Sequence, residues 1–193
     1  TGSGNVTFNS IAAYNNASDN TDIPSNISTS RALAKYHTSG TTTITIASGE
    51  SLIIDATKTL TIDSGVTLNV DTGGSLTSSG AITKTASGAT ISGSGSVTFN
   101  SIAAYNAASD NSDKLIGSNI STDRTLNKYN TTLTTTIKLS GSVTLTIDAT
   151  KTLTLDTDVT LEITSGRTLT ISSTGTLTST DGIVDNDGII SCS

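Results

Sequence analysis

Aliphatic residues recur at a fixed spacing through much of this chain. Ile44, Leu52, Leu60, Leu68 and Leu76 fall eight residues apart, and Ile46, Ile54, Ile62 and Val70 keep step two positions later. Farther on, Ile137, Leu145, Leu153, Leu161, Leu169 and Leu177 repeat the spacing, with Leu139, Ile147, Leu155, Ile163 and Ile171 beside them. Each unit places two aliphatics two residues apart, flanked by Ser or Thr, which is the alternation of a half-buried strand. Sequences such as Asp63-Ser64-Gly65 and Asp71-Thr72-Gly73-Gly74 separate the units and suit tight corners. Strands spaced this way either zigzag as hairpins or turn the same way at every corner. A spacing that holds over five or six units favours the second, because each rung of a stacked coil must overlay the last at ~4.8 Å. With three strands to a turn, a coil takes about 24 residues. The predicted fold is all-β, a parallel β-helix or β-solenoid.

The ladder is one half of a longer repeat. Gly2-Ser3-Gly4 and Val6 through Asn15 recur as Gly93-Ser94-Gly95 and Val97 through Asn106, and Asp55 through Thr61 recurs as Asp148 through Thr154. The offset is 91 residues at the first match and 93 at the second, which places a two-residue insertion in the second copy near Leu115. Such self-similarity marks a repeat architecture. The chain divides into repeat one at 1–91 (loop-bearing segment 5–40, ladder 41–90) and repeat two at 92–193 (loop-bearing segment 96–133, ladder 134–190). All six aromatics, Phe8, Tyr14, Tyr36, Phe99, Tyr105 and Tyr129, lie in the loop-bearing segments. So does the most helix-like stretch, Ser28 to Tyr36 and its counterpart Ser121 to Tyr129. Each segment is read as strands carrying a protruding loop with a short helix. Its aromatics either cover the coil or form a sugar-binding platform.

Composition narrows the picture. Aromatics are only 3% of residues and Met and Trp are absent, so the core must be thin aliphatic layers. A net charge of −6 argues against nucleic acid, which needs clustered Lys and Arg. No apolar run approaches the ~18–20 residues that span a bilayer, so no membrane insertion is expected. Thr1 reads as a mature N-terminus after signal-peptide removal. The single cysteine, Cys192, leaves no internal disulfide.

Catalytic material is scarce, and no enzyme activity is expected. His37 is the only histidine, and the second copy has Asn130 in its place. Asp55, Asp63 and Asp71, with Asp148 and Asp156 in the second copy, recur at corner positions and point different ways. They read as turn formers rather than as the paired acids of a polysaccharide-degrading enzyme. No cofactor is implied. Oxygen ligands for calcium are dense at Asp19 to Asp22, Asp110 to Asp113 and Asp181 to Asp187, but none has the twelve-residue loop pattern. The pairs Thr59/Thr61, Thr144/Thr146, Thr152/Thr154, Thr168/Thr170 and Thr176/Thr178 raise ice binding. Units every eight residues are expected to spread them over all sides of the coil, and threonine is an ordinary outward strand residue. Asn5, Asn16, Asn26, Asn119 and Asn130 head N-glycosylation sequons, fitting an exposed glycoprotein.

The wording of the ladder, as in Lys58-Thr59-Leu60-Thr61-Ile62-Asp63-Ser64-Gly65-Val66-Thr67-Leu68-Asn69-Val70, resembles the repeats of prokaryotic surface β-helix proteins, filamentous-haemagglutinin-like and autotransporter-type adhesins. The likeness covers about half the chain and implies a β-helix at the cell surface. Together these features point to an extracellular structural protein that polymerises with itself, head to tail, into a filament. The expected contact edge is Gly2, Ser3, Gly4, Val6 and Phe8, whose sequence also begins the second copy. The alternative is an adhesin or carbohydrate-binding stalk that meets surface glycans through Tyr14 and Tyr105.

Overall fold

The computed structural model describes residues 4–17, 22–36, 39–86, 88–108, 116–129, 132–141 and 144–193. Every strand pairing in it is parallel, and twenty-one strands follow one another around three faces. The solenoid is therefore the fold, and the hairpin zigzag is excluded. Face one carries β1 (Val6–Phe8), β4 (Thr42–Ile46), β7 (Val66–Val70), β10 (Thr90–Gly93), β13 (Arg124–Leu126), β16 (Thr152–Leu155) and β19 (Thr176–Ser179). Face two carries β2 (Asn26–Ile27), β5 (Ser51–Ile54), β8 (Ser75–Ser78), β11 (Ser96–Phe99), β14 (Thr134–Leu139), β17 (Val159–Ile163) and β20 (Ile183–Asn186). Face three carries β3 (Arg31–Leu33), β6 (Thr59–Ile62), β9 (Ala81–Lys84), β12 (Asn119–Ile120), β15 (Leu145–Ile147), β18 (Thr168–Ile171) and β21 (Ile189–Cys192).

The eight-residue unit produces this register directly. Thr42 lies against Val66 and Ser51 against Ser75, each 24 residues on, and the inward apolar side chains stack in columns such as Phe8, Ile44, Leu68 and Ile91. Alternate residues of β6, β7, β16 and β17 are buried, as the half-buried pattern requires. Removing such a column from water supplies ~1.5–3 kcal/mol per large aliphatic. The corners follow one scheme. The carbonyls of Asp55, Asp63, Asp71, Asp148 and Asp156 each accept the N–H three residues on. The intervening residue, such as Thr57, Gly65, Gly73, Thr150 or Asp158, adopts positive φ.

The loop-bearing segments differ from expectation. The short helices are α1 (Ile11–Asn15) and α2 (Ile102–Asn106), capped by Ser10 and Ser101, whose hydroxyls accept the N–H of Ala13 and Ala104 at 3.0 Å. The stretch read as helical, Ser28 to Tyr36, contains β3, and Ser121 to Tyr129 contains β13. Neither protrudes: β3 pairs with β6 and β13 with β16, so both complete turns of the coil. After each helix an asparagine ties the chain to a later isoleucine instead. Asn15 donates to the Ile23 carbonyl and accepts its N–H at 2.9 and 2.8 Å, and Asn106 does the same with Ile116 at 2.7 and 3.0 Å. The two-residue insertion falls inside the second of these spans, where it leaves the coil register untouched.

Tyr14, Phe99, Tyr105 and Tyr129 are buried, and Phe8 and Tyr36 are half-buried. Phe8 packs edge-on against Tyr14 and Tyr36, and Phe99 against Tyr105 and Tyr129, with ring centroids 5.2 to 5.4 Å apart. Behind them, the Thr42 and Thr135 hydroxyls accept the N–H of Tyr36 and Tyr129 at 2.9 and 2.8 Å. Covering the core is thus their position.

Candidate functional site: the internal seam and the open ends

The second copy starts one face later than the first. Ten strands precede β11, the counterpart of β1, and three strands make a turn, so the copies are rotated by one face. As a result, among the described residues only face two is continuous, a seven-stranded sheet through both copies. Face one is interrupted between β10 and β13, and face three between β9 and β12.

At this seam β11 lies between β8 and β14. Val97 faces Leu76, Thr98 faces Thr77 and Phe99 faces Ser78. Ser78 occupies an inward position where aliphatics otherwise stand, and its hydroxyl is satisfied by the Gly80 carbonyl at 3.0 Å. The small side chain leaves room for the Phe99 ring in the next rung. Beside it α2 and the corner at Ser79, Gly80 and Ala81 line the two sides of one cleft, and Ala108 forms a bridge to Ile82 of β9.

The same sequence at the start of the coil has no strand beneath it among the described residues. Ala104 is 3% exposed and Ala108 1%, while their counterparts Ala13 and Ala17 are exposed and half-buried. Val97, Phe99 and Tyr129 are fully buried, whereas Val6, Phe8 and Tyr36 are only half-buried. At the other end the edges of β19, β20 and β21 have no further partner among the described residues. Ile183 is 60% exposed there and Ile189 56%.

Burial of the aromatic pairs has an electrostatic consequence. Loss of water around the Tyr105 hydroxyl pushes its pKa up to about 12, against a smaller lowering by the Asn127 carbonyl contact. Burial raises Tyr14 as well. Tyr105 ionises near 10 in the unfolded chain, so its stabilising contribution is complete below pH 10 and lost as pH climbs towards 12. The expected loss is on the order of 2 kcal/mol. Urea melts between pH 9 and 12 check this, and Tyr105→Phe should flatten the slope.

The remaining sequence-derived positions do not converge. Asp55, Asp63 and Asp71 occupy three different corners. Among the described residues no group of three or more His, Cys, Asp or Glu is placed to hold a metal. His37, Asp19 to Thr21, Asp110 to Asp113, Asn130, Gly2 and Ser3 lie outside the described residues. Asn5, Asn16, Asn26 and Asn119 are exposed, the last two at equivalent strand positions in the two copies. Tyr14 and Tyr105 are buried at 2% and 0% and form no surface platform. The Thr-x-Thr pairs are not spread over every side: Thr152/Thr154 stack on Thr176/Thr178 on face one, and Thr146 on Thr170 on face three. Sequence reading missed Ser78, Ala104 and Ile183. A signal for the first was present, since Leu-Thr-Ser occurs at both 76–78 and 177–179.

Among the described residues no helix is long and apolar enough to cross a membrane. No family model, curated protein or solved structure matches the chain.

Proposed function

We propose that this protein is an extracellular structural subunit whose coils stack head to tail into a surface filament or fibre. One observation carries the reading: a surface that is closed at the internal seam, around Ala104 and Phe99, stands open at the start of the coil around Ala13 and Phe8. Parallel edges at both ends that are unpaired among the described residues add to it, because an exposed edge is a template for another chain. Contacts between two different ends do not close on themselves and build linear assemblies. Outward positions rich in Ser and Thr, with exposed sequon asparagines, suit a glycosylated surface in contact with solvent. The adhesin alternative loses its nominated platform, since Tyr14 and Tyr105 sit inside.

Negative-stain microscopy with sedimentation over a rising concentration series tests this. Rods one coil wide, lengthening with concentration, are expected. Monodisperse monomers at the highest soluble concentration would end the proposal.

A further inference from the structure

Resting on that head-to-tail reading, we infer which strands meet: β1 of one molecule pairs in parallel with the free edge of β19 in another copy, Val6-Thr7-Phe8 lying on Leu177-Thr178-Ser179. Two independent features select this partner.

The first is the phase of the coil. Each strand advances one face, and the twenty-one strands occupy every face seven times. A strand continuing the coil beyond β21 therefore falls on face one, against β19. Successive subunits then join in phase, with their faces aligned.

The second is the chemistry of the seat. Inside the molecule β11 rests on β8, whose Leu76-Thr77-Ser78 faces Val97-Thr98-Phe99. The β19 strand presents the same three residues, Leu177-Thr178-Ser179. The Ser179 hydroxyl donates to the Gly182 carbonyl at 2.6 Å, as Ser78 donates to Gly80. Ser78 is fully buried beneath Phe99, while Ser179 and Thr178 are exposed. A second copy's Phe8 fits above Ser179 as Phe99 fits above Ser78. Its α1 then faces the corner at Thr180, Asp181 and Gly182, as α2 faces Ser79 to Ala81 across the cleft they line.

Alignment of the two copies alone points elsewhere. The counterpart of β8 in the second copy is β18, but β21 already lies on it, and Ile171 stands where β8 has Ser78. Cys192 faces Ile171, so the small residue there is on the incoming strand. That seat is filled and has the wrong shape for a phenylalanine.

Cross-linking tests the joint. Paired parallel strands hold facing Cα atoms about 4.8 Å apart, within the span of a disulfide. In a Cys192→Ser background, Thr7→Cys with Thr178→Cys should give a ladder of covalent multimers under mild oxidation, and each single cysteine no product beyond a dimer. Ser179→Phe, at an exposed position, should leave the circular dichroism spectrum unchanged and raise the concentration needed for association at least tenfold. If rods form but the 7/178 pair gives no ladder, or Ser179→Phe associates like the parent, the joint is wrong and the head-to-tail reading survives. If the parent protein shows no concentration-dependent growth, both fall together.

Discussion

Phe99→Ala is expected to cost about 3–5 kcal/mol, the usual range for emptying a buried phenylalanine site, whereas Phe8→Ala costs about half of that or less. The two rings have the same sequence neighbours and the same pair of edge-on tyrosines. They differ in what lies on the far side. Phe99 is sealed between the rung of Ser78 and the rung of Ile137, so its removal leaves a cavity that neither rung can close without moving the coil. Phe8 has Ile44 on one side and, among the described residues, no strand on the other, where the ring is half exposed to solvent. Urea denaturation of the two variants at equal slope gives the comparison. Equal losses would mean that the seam does not protect its aromatic cluster better than the open end does.

Gly93→Ala should cost ~3 kcal/mol or more, the upper end for strain at a forbidden backbone conformation. Gly93 closes β10 with φ at +119°, and a Cβ there would overlap the carbonyl oxygen of Val70 in the rung alongside. Both penalties act at the step where the chain leaves face one and crosses to β11. Asn186, which closes β20 as Gly93 closes β10, lies opposite Ile163 and does not take a positive φ. Asn186→Ala therefore serves as the control and should change stability by less than ~1 kcal/mol. A near-neutral Gly93→Ala would show that the β10 end can shift away from Val70 without loosening the seam.

The ladder was legible because its period coincides with its geometry. Eight residues are one strand and one corner, three units are one turn, and Leu52 stacks on Leu76 as the spacing requires. The Asp corners were legible for the same reason. The loop-bearing segments were not. Arg31-Ala32-Leu33-Ala34-Lys35 is made of good helix formers, but helix propensity differs by only a few tenths of a kcal/mol per residue. Burying Leu33 over Ile62 outweighs that. The helices that do form are five residues long, too short for a periodic signal, and only the Ser caps announce them. The seam was visible as a repeated sequence, but its chemistry was not. That Phe99 meets Ser78 depends on a shortened turn, in which Ser96 follows its partner Ser75 by 21 residues rather than 24.

The single uninterrupted sheet on face two gives the rod a preferred direction of bending. Between the copies, two of the three faces lack a strand ladder across the gap, so resistance to opening is concentrated along β8, β11 and β14. Across the seam the copies are thus held by that one ladder and by a hydrophobic core that runs unbroken from the first copy into the second. A transverse load at mid-length would therefore fall on the β8–β11–β14 ladder and on the packing of that core, with no second ladder to share it among the described residues.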